Sequence, residues 1–239
     1  MRRVLRVALF ASTLTMLAAP GVAAQVGRIP AESPYHDILG ARWLDLSVGR
    51  VLGTGGPLRV GPRDGTLAGA RATFRGDHTL SLSLGGWWAS TVRHIVDAND
   101  SVATRVKPDI SHRLIGAEFT LQLNLTGAKS WRRLAPYSAL GIGLVNGQKT
   151  PATDTSGYSF GTHFYFAPSA GTRLMLTQNV ALRAEARALF WSLKYPSSYS
   201  VEPTKQPGTV NTPNAVNTTG KSSGYTVTPA LLLGLSVRF

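Results

Sequence analysis

Residues 225–239 read YTVTPALLLGLSVRF, and counting back from Phe239 every second residue is apolar: Phe239, Val237, Leu235, Leu233, Leu231, Pro229, Val227 and Tyr225. Successive side chains in β structure point to opposite sides, so this set forms one face of a single strand. The other face, Arg238, Ser236, Gly234, Leu232, Ala230, Thr228 and Thr226, is mostly small or polar. Two surroundings accept such a strand. The apolar side turns inward in a soluble barrel or sandwich, and outward in a bilayer.

Seven earlier segments carry the same period. Strand one, residues 43–50, sets Leu44, Leu46 and Val48 against Asp45, Ser47 and Gly49; strand two, residues 66–75, sets Ala68, Ala70, Ala72 and Phe74 against Gly69, Arg71 and Thr73. Strand three, residues 79–90, keeps Leu80, Leu82, Leu84 and Trp88 in register. Strand four, residues 112–125, alternates Ile115, Ala117, Phe119, Leu121, Leu123 and Leu125 with Gly116, Glu118, Thr120, Gln122 and Asn124. Strands five, six and seven follow at residues 137–146, 163–174 and 180–191, the last with Leu182, Ala184, Ala186, Ala188 and Phe190 opposite Arg183, Glu185 and Arg187. Trp43 falls on the polar side of strand one, which calls for either a bulge or a ring that fills the barrel floor.

The connections alternate in length. Residues 51–65, 91–110, 147–162 and 192–224 are long, while 76–78, 126–135 and 177–179 are short. The last long stretch is rich in Pro, Ser, Thr and Asn without a period, and reads as a mobile loop. An even number of antiparallel strands with short turns at one end and long loops at the other is the layout of a bacterial outer-membrane barrel, with both ends of the chain on the periplasmic side.

The N-terminus points to the same compartment. Arg2, Arg3 and Arg6 precede an apolar run over residues 7–17, and Val22-Ala23-Ala24 supplies small residues for signal-peptide cleavage between Ala24 and Gln25. Residues 25–40 then form a periplasmic lead-in and residues 41–239 the barrel. No later run approaches about 20 apolar residues, so insertion must be by strands. Cysteine is absent, which removes disulfides and thiolate metal sites. Loss of the three leader arginines takes the formal charge from +13 to +10. The basic residues are scattered, without the stripe that nucleic-acid binding needs, and suit a surface facing anionic lipopolysaccharide.

Three features favour hydrocarbon over a soluble core. Lys107, Lys129, Lys149, Lys194, Lys205 and Lys221 all fall in links or at a strand end, whereas a water-facing strand surface recruits lysine. Aromatic residues gather at strand ends: Trp87, Trp88, Phe164, Phe190, Trp191, Tyr195 and Tyr225 at the loop end, Phe74, Trp131, Tyr137 and Phe239 at the turn end, as two interfacial belts would require. The third is the export signal together with the terminal Phe239.

A long, nearly all-apolar closing strand that ends on Phe resembles the last strand of small eight-stranded bacterial outer-membrane β-barrels of the OmpA/OmpX-like type. The resemblance covers nearly the whole mature chain as an architectural pattern. It implies an all-β, up-and-down antiparallel transmembrane barrel in a Gram-negative outer membrane, with Phe239, Val237 and Leu235 read by the barrel-assembly machinery. The expected partners are that machinery, periplasmic chaperones, and outer-membrane lipid and lipopolysaccharide. A monomer without cofactor or metal is expected.

The chemistry is sparse. By parity Asp45, Glu118 and Glu185 face the lumen with Arg71, Arg113, Arg173, Arg183, Arg187 and Arg238. Buried charges must pair, so these residues read as a salt-bridged plug in an interior just wide enough for side chains. The excess of arginine leaves a narrow, anion-preferring conduit as the alternative. A lipid A or phospholipid-modifying enzyme would need Ser, His and an acid together. Of His36, His78, His94, His112 and His163, Ser111-His112 lies at the loop end of strand four with Glu118 six residues on and on the same face, but about 20 Å along the strand, too far for a triad. His163 lacks the Ser two residues on that a lipid A deacylase resemblance requires, so all five histidines read as ordinary rim or turn residues. Asp97-Ala98-Asn99-Asp100-Ser101 opens like a calcium loop but has Val102 and Pro108 at the sixth and twelfth positions. The chain reads as a non-enzymatic envelope protein that contacts the outside through its long loops.

Overall fold

The computed structural model describes residues 33–239. The expected leader, with its cleavage point between Ala24 and Gln25, and most of the lead-in lie outside these residues. Eight long strands form the barrel: β1 (Arg42–Thr54), β2 (Arg63–Arg75), β3 (Leu80–Val96), β4 (Val106–Asn124), β5 (Leu134–Gly147), β6 (Thr162–Met175), β7 (Val180–Lys194) and β8 (Ser223–Arg238). Each pairs antiparallel with its neighbours in sequence, and β8 closes on β1 through Val237↔Leu44, Leu235↔Leu46 and Leu233↔Val48. Within the eight-stranded cylinder, closure pairs every strand on both sides and leaves no open sheet edge, the condition for spanning hydrocarbon.

The side chains are distributed inside out. Leu233, Leu84, Ile115 and Val48 are 64–67% exposed, while Asp45, Glu118 and Arg183 are each 4% exposed. A soluble protein arranges these residue types the other way round. The outward set includes Leu44, Leu46, Leu82, Phe119, Leu121, Leu140, Ile142, Phe166, Leu182 and Leu235, a continuous apolar wall around the cylinder. Among the described residues, no helix is long and apolar enough to cross a membrane.

Two segments differ from expectation. Residues 91–110 read as a polar loop, yet β3 and β4 continue as a ribbon through Val92↔Ser111, Ile95↔Lys107 and Val96↔Val106. Backbone pairing satisfies its own polar groups in water as well as in lipid, so beyond the hydrocarbon a strand needs no apolar face and the period disappears while the strand goes on. The lead-in also carries structure where no period announced any. Tyr35–Asp37 pairs with Lys129–Trp131, and Arg75 Nη1 donates to Ile38 O at 3.0 Å. Gly40 permits the sharp entry into β1: its φ is +77°, and a Cβ there would stand 2.3 Å from Cδ of Arg238.

Candidate functional site

The lumen is filled in layers. At the turn end Trp43 is buried against Met175 and Ala181, with Ile38 packed on them. The β1–β2 register runs unbroken from Arg42↔Phe74 to Val51↔Gly65, so strand one has no bulge at Trp43 and its ring forms the barrel floor.

The charged layer comes next. Asp45 of β1 accepts hydrogen bonds from Arg183 Nη1 at 2.6 Å, Thr73 Oγ1 at 2.8 Å, Arg173 Nη2 at 3.2 Å and the Ser236 hydroxyl. Glu185 of β7 accepts from Tyr137 Oη at 2.8 Å, Arg187 Nη2 at 2.8 Å and Nε at 3.0 Å, Arg183 Nε at 3.1 Å and Arg71 Nη2 at 3.5 Å. Glu118 of β4 receives Arg187 as a fork, Nη2 to Oε1 at 3.0 Å and Nη1 to Oε2 at 3.1 Å, with Thr120 Oγ1 at 2.8 Å and Tyr165 Oη at 3.0 Å. The planar guanidinium suits such sharing, since it donates in two directions at fixed angles. Four arginines thus meet three carboxylates on five strands. Cavities of about 10 and 20 Å³ lie on either side of Arg71, each about the room of one water molecule.

Two residues assigned to this network by parity lie elsewhere. Arg113 points outward: His112 and Glu118 face the lumen, so the alternation places residue 113 on the opposite side. Arg238 is half-buried at the turn-end mouth against Gly40, apart from the ion pairs.

The third layer is aromatic, and parity alone could have revealed it. Trp87, Trp191, Tyr195 and Tyr137, expected in the interfacial belts, are all interior. Trp87 Nε1 donates to Tyr165 Oη at 2.7 Å, and Tyr165 passes its own proton toward Glu118. Trp191 meets Phe160 edge-on at 5.8 Å and Tyr165 at 6.4 Å. Glycines make the room: a Cβ on Gly116 would stand 2.4 Å from the Trp87 ring, and one on Gly141 2.7 Å from the Glu118 carboxyl carbon. Trp88, Phe164 and Tyr225 remain outside at the loop end, and Phe74, Trp131 and Phe239 at the turn end, so two belts persist with fewer members.

Loop residues close the top. Val60 from the first loop, Ala98 from the second, Tyr158 and Phe160 from the third, and Tyr195 and Tyr199 from the fourth join Leu189 and Leu193 in one buried cluster. The fourth loop, read as mobile, is packed: Tyr199 lies in a short 3₁₀ turn (Ser197–Ser200), its hydroxyl donates to Val96 O at 3.1 Å, and Asn217 N donates to Tyr199 O at 2.8 Å. Its sequence has no period because these are single anchors and not a repeating face.

The third loop is tied down by Asp154 to Arg93, with both side chains excluded from solvent. Burial alone would raise the Asp154 carboxyl, but Ser156, whose backbone N–H donates at 2.9 Å, and the Arg93 charge outweigh it and hold the carboxyl below its usual range. A lowered carboxyl lends stability that is complete above the unfolded value near pH 4 and is lost as pH falls through the folded one. A spin label at Thr153 is expected to stay immobile from pH 7 down to about 4 and to loosen below it. In Asp154→Asn it should be loose throughout; a label equally immobile in that variant would show that the pair does not hold the loop.

Among the described residues, His112, His163 and His94 each have other partners than a serine and an acid together. Ser111 is exposed while His112 faces the lumen against Phe160, so the adjacent pair points to opposite sides of the sheet. His163 bonds the backbone oxygen of Phe160, and His94 sits with Asp109 and Arg63 at the loop-end surface. No group of His, Asp and Glu able to hold a metal occurs among the described residues.

No protein-family model matches the chain, and no curated protein matches it. Among solved structures it is similar to Neisserial surface protein A, NspA (14% identity, 84% of this chain and 100% of that chain, TM-score 0.49), and to the outer membrane protein OprG from Pseudomonas aeruginosa (12% identity, 87% and 99%, TM-score 0.48). It is also similar to Ail, the attachment invasion locus protein of Yersinia pestis, in complex with the heparin analogue sucrose octasulfate (11% identity, 84% and 100%, TM-score 0.40).

Proposed function

We propose that this chain is a non-enzymatic outer-membrane barrel whose lumen is sealed and whose packed loop cap is a contact surface toward the outside. The observation that carries the reading is the filled interior: an aromatic floor, a paired charge layer and an apolar lid follow one another along the axis. Ions crossing it would have to displace Trp43 and the Tyr158, Phe160 and Tyr199 anchors as well as break the Asp45, Glu118 and Glu185 pairs. The surplus arginine that would favour anions is locked between carboxylates.

The apolar wall and its aromatic ends support insertion in a bilayer, and the leader sequence supports export to the outer membrane. Leu235 and Val237 face outward at the turn end of β8 with Phe239 just past it, where the assembly machinery and periplasmic chaperones could read them. The cap offers exposed Val102, Val201 and Val210 among polar groups, a surface suited to an external partner.

Planar bilayers carrying the purified protein should show flat traces at the membrane baseline in molar potassium chloride. Steady single-channel steps would replace the sealed reading with the conduit. Lipid A from expressing cells should keep its mass; a shift dependent on the protein would make it an enzyme.

A further inference from the structure

One row of the barrel wall combines features that the sealed lumen does not use. Arg50 pairs with Thr66, Thr66 with Ser90, and Ser90 with Arg113, so these four residues lie side by side across β1, β2, β3 and β4. All four side chains are exposed on the outer surface. The next outward-facing row toward the membrane centre is Val48, Ala68, Trp88 and Ile115, paired in the same order. Two cations flanking two hydroxyls therefore sit in the upper part of the apolar wall, with Leu52, Asp64, Val92 and Ser111 exposed in the row beyond. Strands are about 4.8 Å apart, so the arginine backbones are about 14 Å from each other along the sheet. Both guanidiniums can lean toward the hydroxyls between them. Among the described residues, neither has an ion pair or a side-chain hydrogen bond.

The relief below this row is uneven. Trp88 stands out from the wall, 61% exposed, with the small Ala68 beside it. A concavity opens on each side: a broad, shallow one that starts at Arg50, Thr66 and Ala68 and extends past Leu231 to Ala186 and Ala170, and a smaller one lined by Ser90, Arg113, Ile115 and Asn146. Each groove has an arginine at its head and apolar walls beneath. The nearby carboxylate of Asp64 lies two residues farther out on the same face as Thr66, on the water side of the row.

We propose that this wall is a specific site for an anionic, phosphate-bearing acyl lipid of the leaflet at the loop end. The phosphate lies across Thr66 and Ser90 between Arg50 and Arg113, and acyl chains run down the grooves on either side of Trp88. Guanidinium and hydroxyl donors match phosphate oxygens, and the position high on the wall lets one molecule satisfy the charges and cover the grooves at once. The site rests on the membrane reading above.

The test uses the full mature chain, refolded in detergent micelles and titrated with phosphatidylglycerol or with phosphatidylcholine of identical chains, bound lipid being counted by native mass spectrometry. The wild type should retain phosphatidylglycerol about tenfold better than phosphatidylcholine, as expected for two charge-assisted contacts. Arg50→Gln with Arg113→Gln should abolish that preference, while Lys149→Gln with Lys194→Gln, matched in charge and in end of the barrel, should keep it. Should the arginine pair fail to fold, Thr66→Val with Ser90→Ala should lower the preference severalfold. Equal retention of the two lipids by the wild type, or equal losses in the arginine and lysine variants, would overturn the site. Partition of each variant into vesicles is scored separately: a wild type that stays in water removes the membrane reading itself, whereas one that inserts but shows no headgroup preference removes the lipid site alone.

Discussion

Glu185→Ala is expected to destabilise the folded barrel by about 3–5 kcal/mol, the cost of leaving buried charge without its partner. Glu185 is the hub of the lumen, accepting from Arg183, Arg187, Arg71 and Tyr137. Its removal leaves Arg71 without its second carboxylate and deprives Tyr137 of its acceptor. The other two carboxylates cannot compensate, because Asp45 already holds Arg183 and Arg173, and Glu118 already holds Arg187 as a fork. Urea unfolding in lipid vesicles, read by the gel-mobility shift between folded and unfolded chain, measures the loss. The companion experiment separates pairing from packing. Glu185→Leu combined with Arg183→Met removes a carboxylate and a cation together, and should cost less than the two single changes added, by about 0.5–3 kcal/mol. If Glu185→Ala costs under about 1 kcal/mol, the network merely occupies space and the charge layer does not hold the barrel's shape.

The outer wall of this fold was legible in the sequence and its contents were only partly so, for a physical reason. Lipid imposes one rule on every outward position, so Leu231, Leu233 and Leu235, like Leu80, Leu82 and Leu84, announce a face without reference to any other strand. The lumen imposes no such rule. Its positions accept Trp43, Asp45, Thr73, Trp87, Glu118 and Trp191 alike, because each fits a neighbour contributed by a distant strand. Trp87 requires the absence of a side chain on Gly116, and Asp45 requires Thr73, Ser236 and Arg183. Alternation nevertheless reaches further than composition. Placing Trp87 and Trp191 in an interfacial belt followed their nearness to strand ends, whereas their parity with the small and charged residues puts them inside. The same count puts Arg113 outside, one residue off the face of His112 and Glu118. The cap was not legible, since Tyr158, Phe160 and Tyr199 are isolated anchors whose meaning depends on the opening they close.

Leu233→Arg is expected to cost about 2–4 kcal/mol of folding stability in a bilayer, while the same change at Tyr225 on the same face should cost about 0–1 kcal/mol. Both side chains point outward, Leu233 at 67% exposure and Tyr225 at 83%, so burial within the protein predicts little effect at either. Depth alone distinguishes them. Leu233 lies between Val48 and Ala184 in the middle of the wall, six residues from Phe239 and eight from Tyr225, whereas Tyr225 stands at the loop-end border, where arginine can reach phosphate and water. In a water-soluble barrel both positions would be ordinary surface, and arginine at either would change stability by less than about 0.5 kcal/mol. Measuring the pair in the same vesicles makes the difference independent of any effect on the unfolded chain common to the two. A steep cost at Leu233 with a shallow one at Tyr225 would mean that hydrocarbon, and not protein, covers the apolar face; equal small costs would place that face in water and remove the physical basis for a barrel with its charges within and its leucines without.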